Sequence, residues 1–178
     1  MDRVDTALLA IRLVVGLTLV MHGWNHLFGG GRIPGAARWF ESLGLRPGVV
    51  HAWMSTFTEV AAGVGIAAGF LTPVACGAAV GLMVVAGVVA HRPNGFFIFR
   101  EGYEYVLMIA VVAVAIAIAG PGSASIDSAA DIELTGTTGG VLAAAMGLGG
   151  ALLLLVTSWR PSRVAAPATE AADVPAAI

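Results

Sequence analysis

Five apolar runs follow one another along the chain: Ala7–Phe28, Ala52–Leu71, Pro73–Ala90, Tyr105–Ala119 and Thr138–Trp159. About 20 apolar residues cross the hydrocarbon core of a bilayer, within a range of roughly 17–25, so each run is read as a transmembrane helix. Composition agrees. Of the 178 residues 58% are hydrophobic and 11% charged, with a mean hydropathy of +0.89, against about 45–50% and about 25% in soluble domains. A soluble enzyme is excluded on these grounds. The net charge of −2 supplies no basic face for nucleic acid. All nine basic residues are Arg, so no polybasic lysine segment exists either. Cys76 is the sole cysteine, which rules out an internal disulfide or a Cys-x-x-Cys redox pair.

The first run carries Arg12 and ends in His-Gly-Trp-Asn-His with no small-residue cleavage site. It is therefore expected to be a retained span and not a signal peptide. Only Thr72 separates the second run from the third. Thr72 as N-cap and Pro73 at the first helical position predict a tight helical hairpin there. Small residues recur four apart, at Gly65 and Gly69, Gly77 and Gly81, Gly140 and Ala144, and Gly147 and Ala151. In lipid this spacing lets helix backbones approach closely. Gly35–Leu43 is expected to be a short interfacial helix with Trp39 and Phe40 facing the acyl chains, and residues 161–178, rich in Ala and Pro, a disordered tail.

Orientation follows the arginines. With five spans, Arg32, Arg38, Arg46, Arg92, Arg100, Arg160 and Arg163 share one side, while the other holds only Arg3 and the base-free Pro121–Thr137 loop. The N-terminus is expected outside and the C-terminus in the cytoplasm, across the cell's inner (plasma) membrane.

An ionisable side chain at bilayer depth costs from about 2.5 kcal/mol upward, so each one needs a partner or a purpose. Arg12, His22, His26, Glu59, His91 and Glu104 are such residues. Because spans alternate in direction, all but Arg12 fall at the cytoplasmic end, with Glu59 about 10 Å deep at 1.5 Å per residue. His22 and His26 are one turn apart on a face that Arg12, Gly16 and Gly23 share, so that face is expected to turn inward. Glu59 is the expected counter-group of the two histidines, exchanging a proton with them. Arg12, at the other end, is expected to reach Asp5 or the Asp127 loop. The His-x-x-x-His pair lacks a third strong ligand at fixed spacing, so no metal site is expected. Trp24, Trp39, Trp53, Phe96, Phe97, Phe99, Tyr103 and Tyr105 gather at the cytoplasmic level as an aromatic belt, and they are also candidates to line a flat pocket for a quinone ring.

These residues carry a family resemblance. Arg12, the run His22-Gly23-Trp24-Asn25-His26-Leu27-Phe28-Gly29, Thr58-Glu59 with Gly63, Gly69-Phe70-Leu71-Thr72-Pro73, His91-Arg92-Pro93-Asn94-Gly95-Phe96-Phe97, Gly102-Tyr103-Glu104-Tyr105 and Gly120-Pro121-Gly122 with Ser125-Ile126-Asp127 stand in that order. Over about residues 12–127 the chain resembles the DoxX family of small bacterial membrane proteins. It departs from the family pattern at His26, where Lys is common, and at Thr72, where a basic residue is frequent. The resemblance implies an all-α polytopic membrane protein: an antiparallel four-helix transmembrane bundle over residues 1–136 with an appended fifth span at 137–160. It also implies association with thiosulfate:quinone oxidoreduction or with thiol and superoxide defence complexes.

The leading functional expectation is therefore an integral membrane subunit of a redox or oxidative-stress system. Glu59, His22 and His26 would handle protons, and Arg12, Trp24, His91, Tyr103 and Glu104 would bind a quinone or related ligand. No haem, flavin or iron–sulfur motif is present in the sequence, so electrons would come from a partner redox protein. The other classes are a non-catalytic membrane anchor or assembly factor, self-associated or bound to a partner, and a small proton-coupled transporter. The transporter is the weaker of these, since many transporters carry internal repeats and this chain has none.

Overall fold

A computed structural model describes residues 2–161; the tail expected at 161–178 lies outside them apart from Pro161. The described residues form α1 (Arg3–Phe28), α2 (Arg32–Ser42), α3 (Gly48–Ala68), α4 (Thr72–Ala86), α5 (Glu104–Ala119), α6 (Ile126–Ala129) and α7 (Gly136–Ser158). A π-helical turn at Gly87–His91 and a 3₁₀ turn at Arg92–Asn94 extend α4. Each expected apolar run is a helix, but the five are not equivalent as spans. α1, the stretch Thr72–Asn94 and α7 are long and apolar enough to cross a bilayer. α5 is apolar but has 16 residues, and α3 carries His51, Ser55, Thr56, Thr58 and Glu59 along its first half.

Glycine decides which helices touch. A methyl group at Gly16 of α1 would collide with the carbonyl oxygen of Gly63 on α3, and one at Gly63 with that of Gly16. On the other side of the molecule a methyl at Gly77 would sit 3.0 Å from the Ala143 carbonyl and one at Gly81 3.2 Å from that of Gly147. These are small-residue crossings of the kind that hold helices together in lipid, where apolar burial gives no preference for helix over acyl chain. α4 is central, packing on α3, α5 and α7, while α1 packs mainly on α3 and only grazes α5. The four-helix ring expected from the sequence is thus loosely closed between α1 and α5. α7, expected outside that ring, lies along α4 and α5 and shares one core with α1, α3, α4 and α5 through Leu19, Ile66, Cys76, Ala113 and Ala143.

The helix termini differ from the sequence reading in two places. Thr72 does not cap α4: the cap position is Leu71, in a left-handed conformation at φ 45°. The orphan N–H groups of Leu71 and Thr72 donate instead to Asp127, at 2.7 and 2.8 Å. Helix α2 does form, with Trp39 exposed, but Phe40 turns inward against Leu45, Ala52 and Val89 instead of facing lipid. The α2–α3 connection is tied to the end of α7 by Arg46 N–H to Ser158 O (3.0 Å), Arg160 N–H to Gly44 O (2.7 Å) and the Trp159 indole N–H to Leu43 O (2.9 Å).

Candidate functional site

The buried face of α1 reads Arg12, Val15, Gly16, Leu19, Gly23, the inward stripe that the helical period predicts. Gly23 has no side chain to hold α3 away, and a Cβ there would meet Thr56 O at 3.0 Å and Glu59 Cβ at 3.3 Å. This close crossing brings Glu59 to the next turn of α1, where its Oε2 lies 3.5 Å from His26 Nε2. The other carboxylate oxygen, Oε1, accepts from Ser55 Oγ at 2.9 Å, one turn back on α3. Glu59 is 8% exposed, and Oε2 has no hydrogen-bond partner.

The pair forms part of the wall of a cavity of about 820 Å³ between α1, α3, α4, α5 and α7, closed at one end by Trp39 and Phe40 of α2. All four histidines of the chain line it. His22 holds its ring by a 2.8 Å contact from Nδ1 to Thr18 O and stacks across the α1–α5 gap on Tyr105, centroids 6.2 Å apart. The His26 ring lies 6.0 Å from that of Phe40. His51 is 5% exposed and its Nε2 has no partner. His91 ends the π-helical turn, its Nδ1 2.7 Å from Glu101 O. π-helical turns re-aim the residues that follow them and recur at functional sites. Among the described residues Glu59 is the one acidic residue lining the cavity and no arginine lines it, and the remaining wall is almost wholly apolar.

Glu59 pairs with His26 alone; His22, expected on the inward face of α1, is exposed and lines the same cavity with His51 and His91. The other expected ligand residues stand elsewhere. Arg12 is buried at the opposite end, donating to the carbonyl oxygens of Pro121, Ala67 (3.2 Å) and Ala124 (2.8 Å), while Asp5 takes Ser123. Trp24 is more than half exposed and packs at a tilt on Phe28, ring centroids 4.1 Å apart. Tyr103 packs edge-on against Phe96. Glu104 Oε2 accepts the Ile98 N–H at 2.9 Å and so braces the 95–103 loop. His51 was missed because α3 starts at Gly48, a turn before the apolar run begins. The i, i+4, i+8 spacing of His51, Ser55 and Glu59 is the signal that could have found it. Among the described residues no three His, Cys, Asp or Glu side chains come together as a metal-ligand set.

Chemically, the site offers one carboxylate with its first oxygen fixed and its second facing an imidazole. A proton can pass between Glu59 and His26 with little movement. The low-dielectric wall makes each such polar contact stronger than it is in water.

These features define a class: an all-helical membrane protein with an apolar internal cavity and a histidine–carboxylate cluster on its wall. The DoxX family model matches residues 7–92 and supports membership of that family. The match is narrower than the 12–127 of the motif resemblance, yet it holds all four histidines, Glu59 and Arg12. No curated protein and no solved structure matches the chain.

Proposed function

We propose that the protein is an integral membrane subunit of a redox system that binds a quinone-type head group in this cavity, with Glu59 and His26 as its proton-handling pair. The observation that carries the reading is the gathering of every histidine in the chain, with one carboxylate, on a single apolar cavity. Ligand sites are typically about 300–1,000 Å³, mostly apolar, with a few convergent polar groups, and the volume here is of that size. Two buried polar atoms on the cavity wall, Glu59 Oε2 and His51 Nε2, have no partner among the described residues. Such orphans are costly unless a ligand or water satisfies them. A quinone–quinol head fits these two atoms, its carbonyl form accepting from a His51 Nε2–H and its hydroxyl form donating to Glu59 Oε2, and when bound it would supply two-electron, two-proton chemistry. His51 orients the head through Nε2, Glu59 and His26 deliver or take up the proton, and Trp39 and Phe40 exclude water. Electrons come from a partner protein.

Purification in mild detergent followed by solvent extraction is expected to recover about one quinone per chain. Recovery of a stoichiometric soluble partner with no quinone would overturn the reading in favour of a membrane anchor.

The same proposal includes five membrane-crossing helices with the N-terminus outside, the four-span unit at 1–136 and the further span at 137–160, supported by the seven-to-one arginine asymmetry. Ser42→Cys and Ala130→Cys, both at exposed positions, test it with an impermeant thiol reagent on intact cells, since Cys76 is buried and does not compete. Labelling is expected at position 130 only; labelling at 42 alone reverses the orientation.

A further inference from the structure

The cavity is not a closed chamber around the polar cluster. Its apolar part continues along α4 past Gly81 and Gly77 to Val74, between α3 and α7. From Gly81 to Val74 is seven residues, about 10 Å of helix. Every titratable group on the wall lies toward the α2 end of this track. The flanks of the track, Met54 on α3 with Met146 and Gly150 on α7, are exposed, so the cavity opens sideways where the surrounding medium is lipid. Gly150 is unlike the glycines that seal α4 against α7. A Cβ at Gly77, Gly81 or Gly147 would meet a neighbouring helix, whereas one at Gly150 would meet nothing within 4 Å. Glycine inside a helix costs roughly 0.5–1 kcal/mol relative to Ala, and packing gives no reason for it at this position. Gly149 beside it is equally open, and of the two only Gly150 lines the cavity.

We infer that the ligand of this cavity is an amphiphile with a long hydrocarbon chain, which enters from the bilayer through the slot between α3 and α7 beside Gly150. Its head meets Glu59, His26 and His51, and its chain lies over the Gly81–Gly77–Val74 face of α4. This rests on the ligand-binding reading above and adds the ligand's chain and its route. A free, water-borne ligand would need neither the apolar track nor a lipid-side opening. The two unpartnered buried atoms at the head end, Glu59 Oε2 and His51 Nε2, set the direction in which the amphiphile lies.

The test uses the full chain in lipid nanodiscs and two probes: a benzoquinone carrying a decyl chain with a terminal diazirine, and the same benzoquinone head without the chain. On illumination the diazirine is expected to label the peptides that hold Met54, Val74 and Met146, with labelling reduced at least about fivefold by excess unlabelled decyl-benzoquinone. Gly150→Leu narrows the slot and Val74→Trp fills the track. Each is expected to lower that labelling about fivefold, while the chainless head still quenches Trp39 fluorescence as in the parent protein. Both variants occupy open or exposed positions, and an unchanged elution profile verifies their fold. Labelling spread evenly over lipid-facing residues such as Leu17 and Leu107, insensitive to competitor, overturns the inference while quenching by the chainless head upholds the binding reading. Loss of both signals overturns both. A change of oligomeric state in Gly150→Leu, without any change in chain labelling, assigns the slot to a second copy of the protein and overturns the inference as well.

Discussion

Glu59→Gln is expected to leave the protein folded and inserted while abolishing its complementation of a deletion strain. Glutamine keeps the side-chain length and an oxygen for Ser55 Oγ, which donates to Glu59 Oε1 at 2.9 Å. Its amide also places a donor opposite His26 Nε2, where Oε2 now stands at 3.5 Å. A net change of about 1 kcal/mol or less in stability follows, since a typical neutral hydrogen bond contributes about that much. What Gln cannot do is gain or lose a proton. Because Glu59 is the one acidic residue on the cavity wall among the described residues, no described neighbour replaces it as a carboxylate. Glu59→Leu separates the two explanations of the residue. If Glu59 serves packing specificity alone, Gln is mild and Leu impairs assembly; if it handles protons, both variants lose activity. Complementation scored across the growth pH range, beside thermal melts in detergent, reads the difference. Full complementation by the Gln variant at every pH overturns the proton-handling role.

How much of this site was legible in sequence depends on which coordinate is asked for. Depth was legible. Alternating spans put His22, His26, Glu59 and His91 at one level, and the structure lines one cavity with all four. Azimuth was only partly used. Trp24 is at the right level but two residues from His22, about 200° around the helix at 3.6 residues per turn, and it faces outward onto Phe28. Tyr103 and Glu104 likewise share the level and serve the loop that joins α4 to α5. His51 required the true start of α3. The π-helical turn at Gly87–His91 leaves no mark in hydropathy, because inserting one backbone residue among apolar side chains alters no pattern that counting detects. Phe40 was misassigned for a tertiary reason: α2 lies on the cavity mouth, so the face expected in lipid meets Leu45 and Val89 instead.

At the opposite end the least legible residue is expected to be the most important for stability. Asp127→Ala should destabilise the protein by about 3–5 kcal/mol, as expected when two buried donors of Thr72 and one part-buried donor of Leu71 lose their acceptor, at roughly 1–3 kcal/mol for each buried donor and less for the other. The Asp127 carboxylate is 1% exposed and accepts from Leu71 N–H (2.7 Å), Thr72 N–H (2.8 Å) and Thr72 Oγ1 (2.7 Å). Its own N–H donates to Gly69 O at 2.9 Å. A negative group at a helix N-terminus satisfies orphan N–H groups and complements the helix dipole, and here that group arrives from 55 residues away. The α3–α4 turn needs the help, since Leu71 sits at φ 45° beside Gly69 at φ 63°, a conformation that disfavours any side chain with a Cβ. Asp127→Asn should fall between, as its amide turns a donor toward donors. Thr72→Val removes one of the three bonds and should cost about 1 kcal/mol in the parent protein but almost nothing in the Asp127→Ala background, because its partner is already gone. Melting temperatures of the four proteins in one detergent measure this cycle, and an Asp127→Ala variant within about 1 kcal/mol of the parent overturns it. The cavity cluster lies at the far end of α3 and α4, so the folded fraction of each variant should quench with the benzoquinone head as the parent does. Stability and head-group binding in this chain thus rest on separate ends of the same helices.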